Sequence, residues 1–227
     1  MSSPLRICLV GATGLIGRTL IERAVARTDV RLIGVARREM KLPFGARMEM
    51  LLADPENWAD AIAAANAKVL VCALGTTMKK AGTDEEAFRA VDLALVRACG
   101  AAAKAAGIER MIVVSSVGAD PMAKNFYLKT KGQMEEALGR LRLRRLDILR
   151  PGLLRGRRVD DPRPLERIAG LVAPLIDPFL NGERRRYRSI RAEVLADAIF
   201  ALAKEKAGGH FVHEHDGFLR AIRRAGG

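Results

Sequence analysis

Aromatic residues are scarce in this chain, and long apolar runs are missing. Aromatic side chains make up 4% of the 227 residues, so a core has to be built from Ala, Val, Leu and Ile. That composition favours helices packed tightly on a buried parallel sheet. No charged leader precedes an apolar stretch at the N-terminus, and no apolar run approaches the length of a membrane span, so we expect neither a signal peptide nor a transmembrane segment.

Cysteine and histidine are each present three times. The cysteines lie singly inside apolar segments without a CxxC pair, which is typical of buried reduced thiols in a cytoplasmic protein; they are Cys8, Cys72 and Cys99. The histidines have the spacing of neither a helical pair nor a zinc finger, so we interpret them as solvent or loop residues and expect no metal site; they are His210, His213 and His215.

Acidic residues are fewer than basic ones, 26 against 39, and the formal net charge is +13. Such an excess attracts nucleic acid, acidic membranes or phosphorylated ligands. The densest run, Arg184 to Arg186, lacks the interleaved aromatic residues that stack on bases. We therefore interpret the charge as a solvated surface and expect no specific nucleic-acid partner, with a basic adaptor as the alternative.

Short apolar runs alternate with amphipathic helices up to Gly152. The pattern predicts strands over 5–10, 30–36, 48–53, 69–74, 111–115 and 146–149, and helices over 15–27, from 55, over 84–106 and over 127–141. Beyond Gly152 it weakens to a loop over 159–164, helices over 165–176 and 193–204, a short strand over 210–213 and a terminal turn or helix over 217–224. This predicts one α/β domain over 1–227, a Rossmann-like doubly wound parallel sheet with helices on both faces, in which 152–227 form a small substrate-side extension.

Three glycines follow the first predicted strand and open the first helix. Gly11 allows the tight turn, Gly14 lets the backbone approach a pyrophosphate, and Gly17 lets the helix pack on the strand. Amide groups at the helix start then face the phosphate charge. The turn predicts a dinucleotide site formed by Gly11, Thr13, Gly14, Leu15, Ile16 and Gly17.

The residues after the next strands refine that prediction. An NAD site usually has an acidic residue after the second strand, whereas this chain has Arg37 and Arg38, which suit the 2′-phosphate of NADP(H). The alternative is NAD(H), with Glu39 bonding the ribose hydroxyls. Asp54, after the third strand, either bonds the adenine or caps the next helix. Leu74, Gly75 and Thr76 follow the fourth strand and line the adenosine or pyrophosphate, unless they form an ordinary turn.

A serine pair, a tyrosine and a lysine form the candidate catalytic set. Tyr127 and Lys131 lie four residues apart, on one face of a helix. Hydride transfer to a carbonyl needs a proton for the developing alkoxide, and a nearby ammonium lowers the pKa of a phenol enough to exchange one. Ser115 or Ser116, at the end of the fifth strand, orients the carbonyl, and the sequence leaves the choice between them open. The alternative is an ordinary surface pair of Tyr and Lys.

These motifs resemble the short-chain dehydrogenase/reductase superfamily, in its atypical branch, and are most similar to the Tat-interacting protein/CC3-type oxidoreductases. The similarity rests on the glycine turn and on Leu74-Gly75-Thr76-Thr77, Lys80-Ala81-Gly82, Val91-Asp92, Ser115-Ser116, Gly118-Ala119-Asp120, Tyr127-Leu128, Lys131-Gly132 and Arg150-Pro151-Gly152. The resemblance implies NADPH binding, a Ser-Tyr-Lys reductase site in which Lys131 also holds the nicotinamide ribose, and a segment of Pro151, Gly152 and Leu153 passing under the nicotinamide. Asp92 stands where many relatives carry a structural Asn, so no proton-relay role is carried over to it.

The sequence therefore predicts an NADPH-dependent oxidoreductase acting on a small carbonyl substrate. About seventy residues follow Pro151, which is little room for a nucleotide-sugar lobe, so an epimerase-like enzyme is an alternative of lower rank. A second alternative is a redox sensor that binds NADP(H) without turnover. A homodimer is left open.

Overall fold

Seven of the nine strands in the described residues are strands that the sequence predicts. The computed structural model describes residues 3–76, 84–156, 177 and 180–226. Within these ranges the strands are β1 (Leu5–Val10), β2 (Val30–Ala36), β3 (Glu49–Leu52), β4 (Val69–Cys72), β5 (Arg110–Val114), β6 (Arg145–Leu149), β7 (Leu154–Arg155), β8 (Ile190–Arg191) and β9 (Gly209–His213).

Helices connect the strands. They are α1 (Leu15–Ala24), α2 (Trp58–Ala64), α3 (Glu85–Arg89), α4 (Val96–Ala105), α5 (Phe126–Gly139), α6 (Ala192–Lys204) and α7 (His215–Gly226), with short 3-10 helices at Pro55–Asn57 and Gly182–Tyr187 and a π-helix at Ala90–Leu95. In the ranges that the structure describes, none of these helices is long and apolar enough to cross a bilayer. The loop and helix predicted over 159–176 lie outside the described residues.

Seven of the strands form one sheet in the order β3-β2-β1-β4-β5-β6-β9. Every pair in this sheet is parallel. The order reverses at β1, whose neighbours are β2 and β4, and this is the switch point at which open α/β sheets bind ligands. The predicted fold class is confirmed. The remaining strands, β7 and β8, form a small parallel pair of their own.

The sheet separates two apolar cores of mostly aliphatic residues. In β1, Ile7 and Leu9 face the core under α1, α6 and α7, whereas Cys8 faces the core under α2, α4 and α5. All three cysteines are buried and free, as predicted. Burial raises the pKa of Cys72 to about 11 and that of Cys8 to about 12, so these thiols are unreactive at neutral pH.

The helix predicted over 84–106 is interrupted. Its start is as expected, because the Asp84 Oδ1 accepts hydrogen bonds from the Glu86 and Ala87 amides at 2.8 and 3.2 Å. Its end is also as expected, since Gly107 has a φ of +73°, which suits glycine after a helix. Between these ends the π-helix separates α3 from α4. Single π-helical turns inside α-helices occur frequently at functional sites.

The last strand carries two of the three histidines. His210 and His213 lie in β9, the short strand predicted over 210–213, which pairs with β6 and extends the sheet. The interpretation as solvent residues holds for the exposed His210 but not for His213, whose side chain is largely buried. His213 is held there by the Asp147 carboxylate, 2.8 Å from its Nε2. The same carboxylate accepts hydrogen bonds from Arg145 at 2.6 and 2.8 Å. The local pattern predicts the strand, whereas the contact of His213 with Asp147 joins residues 66 positions apart and leaves no local signal.

Removing Asp147 should strongly destabilise the fold. The side chains of Arg145 and Asp147 are 6% and 1% exposed, so Asp147→Ala leaves a buried guanidinium without its partner and should cost about 3–5 kcal/mol. The matched control is Glu136→Ala, because the Arg140–Glu136 pair is 74% and 51% exposed and should contribute about 0.5 kcal/mol or less. Urea unfolding measures both values. Equal losses in the free energy of unfolding of the two variants would contradict a special stabilising role of the buried Arg145–Asp147 pair.

Candidate active site

Two glycines of the turn after β1 are required by the packing of the protein itself. Gly11 has a φ of +91°, and a Cβ there would lie 2.5 Å from the carbonyl carbon of Ala73 at the end of β4. A Cβ at Gly17 would lie 2.7 Å from the Cα of Ala12. Both positions are therefore restricted to glycine, which brings the start of α1 close to the ends of β1 and β4.

Gly14 has no such packing requirement. A Cβ there would lie 3.5 Å from the Gly11 carbonyl oxygen, an ordinary contact. Gly14 and Thr13 are exposed, and Gly14 is the N-cap of α1 without a side-chain cap and without an acidic residue in the first turn. The Arg18 Nε donates to the Thr13 carbonyl at 3.0 Å and holds the turn. This arrangement suits a phosphate group on the amides of the helix start, so the turn fits a dinucleotide.

The residues predicted to bind the adenosine end are solvent-accessible. Arg37 and Arg38 follow β2 and are both exposed. Asp54 is exposed and lies at the N-cap of the first 3-10 helix, but its carboxylate makes no capping hydrogen bond. Asp54 therefore occupies an N-cap position, but its side chain does not cap the helix.

The turn after β4 is fixed to the π-helix. The Thr76 amide donates a hydrogen bond to the Asp92 Oδ2 at 2.7 Å. A Cβ at Gly75 would lie 3.7 Å from the Asp92 Oδ1 and 4.0 Å from the Lys131 Nζ. Leu74, before them, is half-buried. This contact makes the segment more than an ordinary turn, whereas Thr77, Lys80 and Gly82 lie outside the described residues.

Helix α5 presents Tyr127, Lys131 and Glu135 on successive turns of one face. The Lys131 Nζ lies 2.8 Å from the Asp92 Oδ1, and the two side chains are 4% and 0% exposed. Burial by itself lowers the pKa of Lys131, but the Asp92 carboxylate and the Tyr127 hydroxyl outweigh that effect and raise it. Tyr127 is half-buried, with its ring 5.8 Å from that of Phe88. Tyr127 and Lys131 are thus not an ordinary surface pair.

The two serines after β5 have different surroundings. Ser115 is 5% exposed, and its Oγ donates to the Glu135 Oε1 at 2.5 Å. Arg150 binds the same carboxylate, with its Nε 3.0 Å from Oε1 and its Nη2 2.5 Å from Oε2. Ser116 is half-buried and donates to the Val117 carbonyl at 3.3 Å. Ser115 is therefore held in a network of buried charge, while the Ser116 hydroxyl makes one long hydrogen bond within the part of the chain that the structure describes.

The segment after β6 contacts the small β7–β8 pair. Pro151 is buried, and a Cβ at Gly152 would lie 2.6 Å from the Arg188 carbonyl oxygen. The Leu153 carbonyl accepts a hydrogen bond from the Ile190 amide at 2.9 Å. The backbone at Gly152 is thus closely covered from the side of residues 187–190.

Sequence reasoning missed Glu135 and the roles of Asp92 and Arg150. Glu135 lies four residues after Lys131, so helical spacing alone placed it on the face of Tyr127 and Lys131. Nothing in the spacing indicates that Asp92 and Arg150 are the partners of these charges, because both pairings join distant elements.

A parallel sheet with a glycine turn at its switch point, and an open helix start above it, defines a Rossmann domain that binds a nicotinamide dinucleotide. The chain belongs to the NAD(P)H-binding family, whose model matches residues 11–173. Its fold is shared by MoeE5, solved in complex with UDP-glucuronic acid and NAD, with a TM-score of 0.69 and 18% identity over 91% of this chain and 74% of MoeE5.

Related sequences come from fungi. Protein FMP52-1, mitochondrial, of Scheffersomyces stipitis is 34% identical over 66% of this chain and 67% of its own length. Protein fmp52, mitochondrial, of Emericella nidulans is 31% identical over 74% of each. The expectation of a cytoplasmic protein is wrong on this comparison, which points to mitochondria. Reduced thiols exclude oxidising compartments only, and they do not single out the cytoplasm.

Gly14 and Gly17 should respond differently to substitution by alanine. Gly14→Ala should leave the melting temperature nearly unchanged, because its Cβ meets only an ordinary contact, yet weaken coenzyme binding about tenfold or more, because the methyl group occupies the approach of the pyrophosphate. Gly17→Ala is the matched comparison and should lower the melting temperature. Differential scanning fluorimetry and calorimetric titration measure the two effects. Unaltered coenzyme affinity in Gly14→Ala would refute this placement of the phosphates.

Proposed function

We propose that this protein is an NADP(H)-dependent oxidoreductase that reduces a small carbonyl compound with Tyr127, Lys131 and Ser116. The observation that carries the proposal is the buried Lys131 ammonium, one helical turn from Tyr127 and held by Asp92. A lysine in such a place is costly, and its charge acts directly on the neighbouring phenol. The proposal places this pair at the edge of the sheet where the strand ends and the glycine turn meet.

In the proposed reaction, bound NADPH supplies a hydride to the carbonyl carbon. The Tyr127 hydroxyl donates its proton to the carbonyl oxygen as negative charge develops there, so the product is an alcohol and Tyr127 is left as phenolate. The Lys131 ammonium stabilises that phenolate. The ammonium also donates hydrogen bonds to the nicotinamide ribose in this scheme.

Ser116, rather than Ser115, orients the substrate carbonyl in this proposal. The Ser115 hydroxyl is committed to the Glu135 carboxylate, and breaking that bond leaves a buried charge with one donor fewer. The Ser116 hydroxyl has only a 3.3 Å bond to exchange for a ligand. Geometry therefore favours the second serine as the donor to the substrate oxygen.

NADP(H) is proposed over NAD(H) because cations follow β2. Arg37 and Arg38 are exposed at the end of that strand, where a carboxylate would bind the ribose hydroxyls of NAD. Two guanidiniums can bind the 2′-phosphate through bidentate hydrogen bonds. The neighbour MoeE5 was solved with NAD, and at 18% identity it supports the fold and leaves the choice of coenzyme to these residues.

Replacing both arginines should change the coenzyme preference. Arg37→Ala with Arg38→Ala should weaken NADPH about 10- to 100-fold, because hydrogen bonds to a charged group contribute about 1.5–3 kcal/mol, and should leave NADH affinity within about twofold. The matched control is Arg223→Ala with Arg224→Ala, which removes the same charge from two exposed positions in α7. Calorimetric titration with both coenzymes measures the result. Equal losses for NADPH in the two double variants would place the 2′-phosphate elsewhere.

The catalytic assignment is tested by conservative substitutions in the presence of NADPH and a panel of benzaldehyde, butanone and cyclohexanone. Tyr127→Phe should bind NADPH normally and lose at least about 100-fold in kcat, since it removes the proton donor. The control is Tyr187→Phe, because Tyr187 is the second of the two tyrosines and is 46% exposed.

Between the serines, Ser116→Ala should lower kcat at unchanged melting temperature, and Ser115→Ala should lower the melting temperature. A wild-type protein that binds NADPH and turns over no carbonyl compound would support a redox sensor instead. A reversed pattern for the two serines would exchange their roles.

A further inference from the structure

The proposed reaction leaves Asp92 without a role, although Asp92 lies next to the reacting groups. Its side chain is fully buried at the middle of the π-helix Ala90–Leu95. Its two oxygens bind different elements, Oδ2 the Thr76 amide at 2.7 Å and Oδ1 the Lys131 ammonium at 2.8 Å. One carboxylate thus joins the turn after β4 to helix α5.

The surroundings of Lys131 make its charge depend on Asp92. The charged and titratable groups that face the ammonium in the described residues are Asp92 from the π-helix, Tyr127 from α5 and Cys72 from β4. Asp92 is the one carboxylate among them. The next carboxylate on the helix face, Glu135, is bound by Arg150 and Ser115. Without a counter-charge, an ammonium buried to this extent tends to lose its proton.

We propose that Asp92 is a positioning residue that keeps Lys131 charged and fixed beside Tyr127. It acts through Lys131 and touches neither the substrate nor the proton in transit. The upward pKa shift of Lys131 agrees with this role, because burial acts in the opposite direction and Asp92 is the strongest of the groups that outweigh it. The inference rests on the proposed function for one point, that the Lys131 charge stabilises the Tyr127 phenolate.

The test uses the protein without coenzyme or substrate, so that it can fail independently of the proposed function. Asp92→Asn keeps an oxygen for the Thr76 amide and removes only the charge. In this variant Lys131 should titrate below its unfolded-state pKa, so that the unfolded chain binds more protons and stability rises with pH. In the wild type the pKa of Lys131 is raised, so its contribution is constant through pH 6–9 and lost only at more alkaline pH.

The melting temperature of Asp92→Asn should therefore lie below that of the wild type at pH 6, and the deficit should narrow as the pH rises to 9. One proton corresponds to about 3–5 °C per pH unit in a domain of this size. Cys72 does not contribute in this range, because burial raises its pKa to about 11. The same narrowing is expected in a Tyr127→Phe background, which removes the remaining titratable neighbour.

Lys131→Met supplies the control that assigns the effect to this lysine. The double variant Asp92→Asn with Lys131→Met has neither buried charge, so its melting temperature relative to the wild type should not show the narrowing between pH 6 and pH 9. If Asp92→Asn alone does not fold, the double variant with Lys131→Met should restore folding, because the unpaired buried charge is gone. A deficit of Asp92→Asn that is independent of pH, the same narrowing with pH in the double variant, or a double variant that still fails to fold would each overturn the proposal.

Discussion

Helix α5 turns two charged side chains, Lys131 and Glu135, towards the interior of the protein. Burying an ion costs several kcal/mol, and the cost is offset only where an opposite charge and further hydrogen bonds are in place. Asp92 and Arg150 supply those charges, and the Thr76 amide and the Ser115 hydroxyl complete the two networks. Since these partners come from the π-helix and from the ends of β4, β5 and β6, satisfying the charges of one helix fixes the strand ends around it.

The glycine turn obeys a second, separate constraint. Gly11 and Gly17 are fixed by contacts with Ala73 and Ala12, whatever binds to the protein. Gly14 has room for a methyl group, so the packing of the protein does not require glycine there. The turn thus combines two glycines that the fold requires with one that we propose for coenzyme binding, and stability measurements can separate them.

The order of elements could be predicted from the sequence because buried parallel strands and amphipathic helices leave strong local patterns. Strands β1 and β2 begin and end where the apolar runs do. The placing of Tyr127 and Lys131 on one helix face also follows from spacing alone. The π-helix, the pairing of Lys131 with Asp92 and the pairing of Glu135 with Arg150 could not be predicted, because each depends on contacts between distant elements. The contact of His213 with Asp147 was missed for the same reason, although the strand that carries His213 was predicted.

The buried charges of α5 and the glycine turn are separate constraints, and this bears on the choice between an enzyme and a sensor. Binding a dinucleotide requires the turn at Gly14 and a suitable end of β2, and neither requires charge inside α5. The buried pairs add a desolvation cost, which the proposed hydrogen bonds from Lys131 to the nicotinamide ribose explain only in part. In the proposed reaction Lys131 has to remain charged next to a tyrosine that releases a proton. A buried lysine does this better than a solvated one, because water weakens the electric field of a solvated ammonium and its side chain is more mobile. The arrangement around α5 thus supports the proposal of an enzyme over that of a sensor.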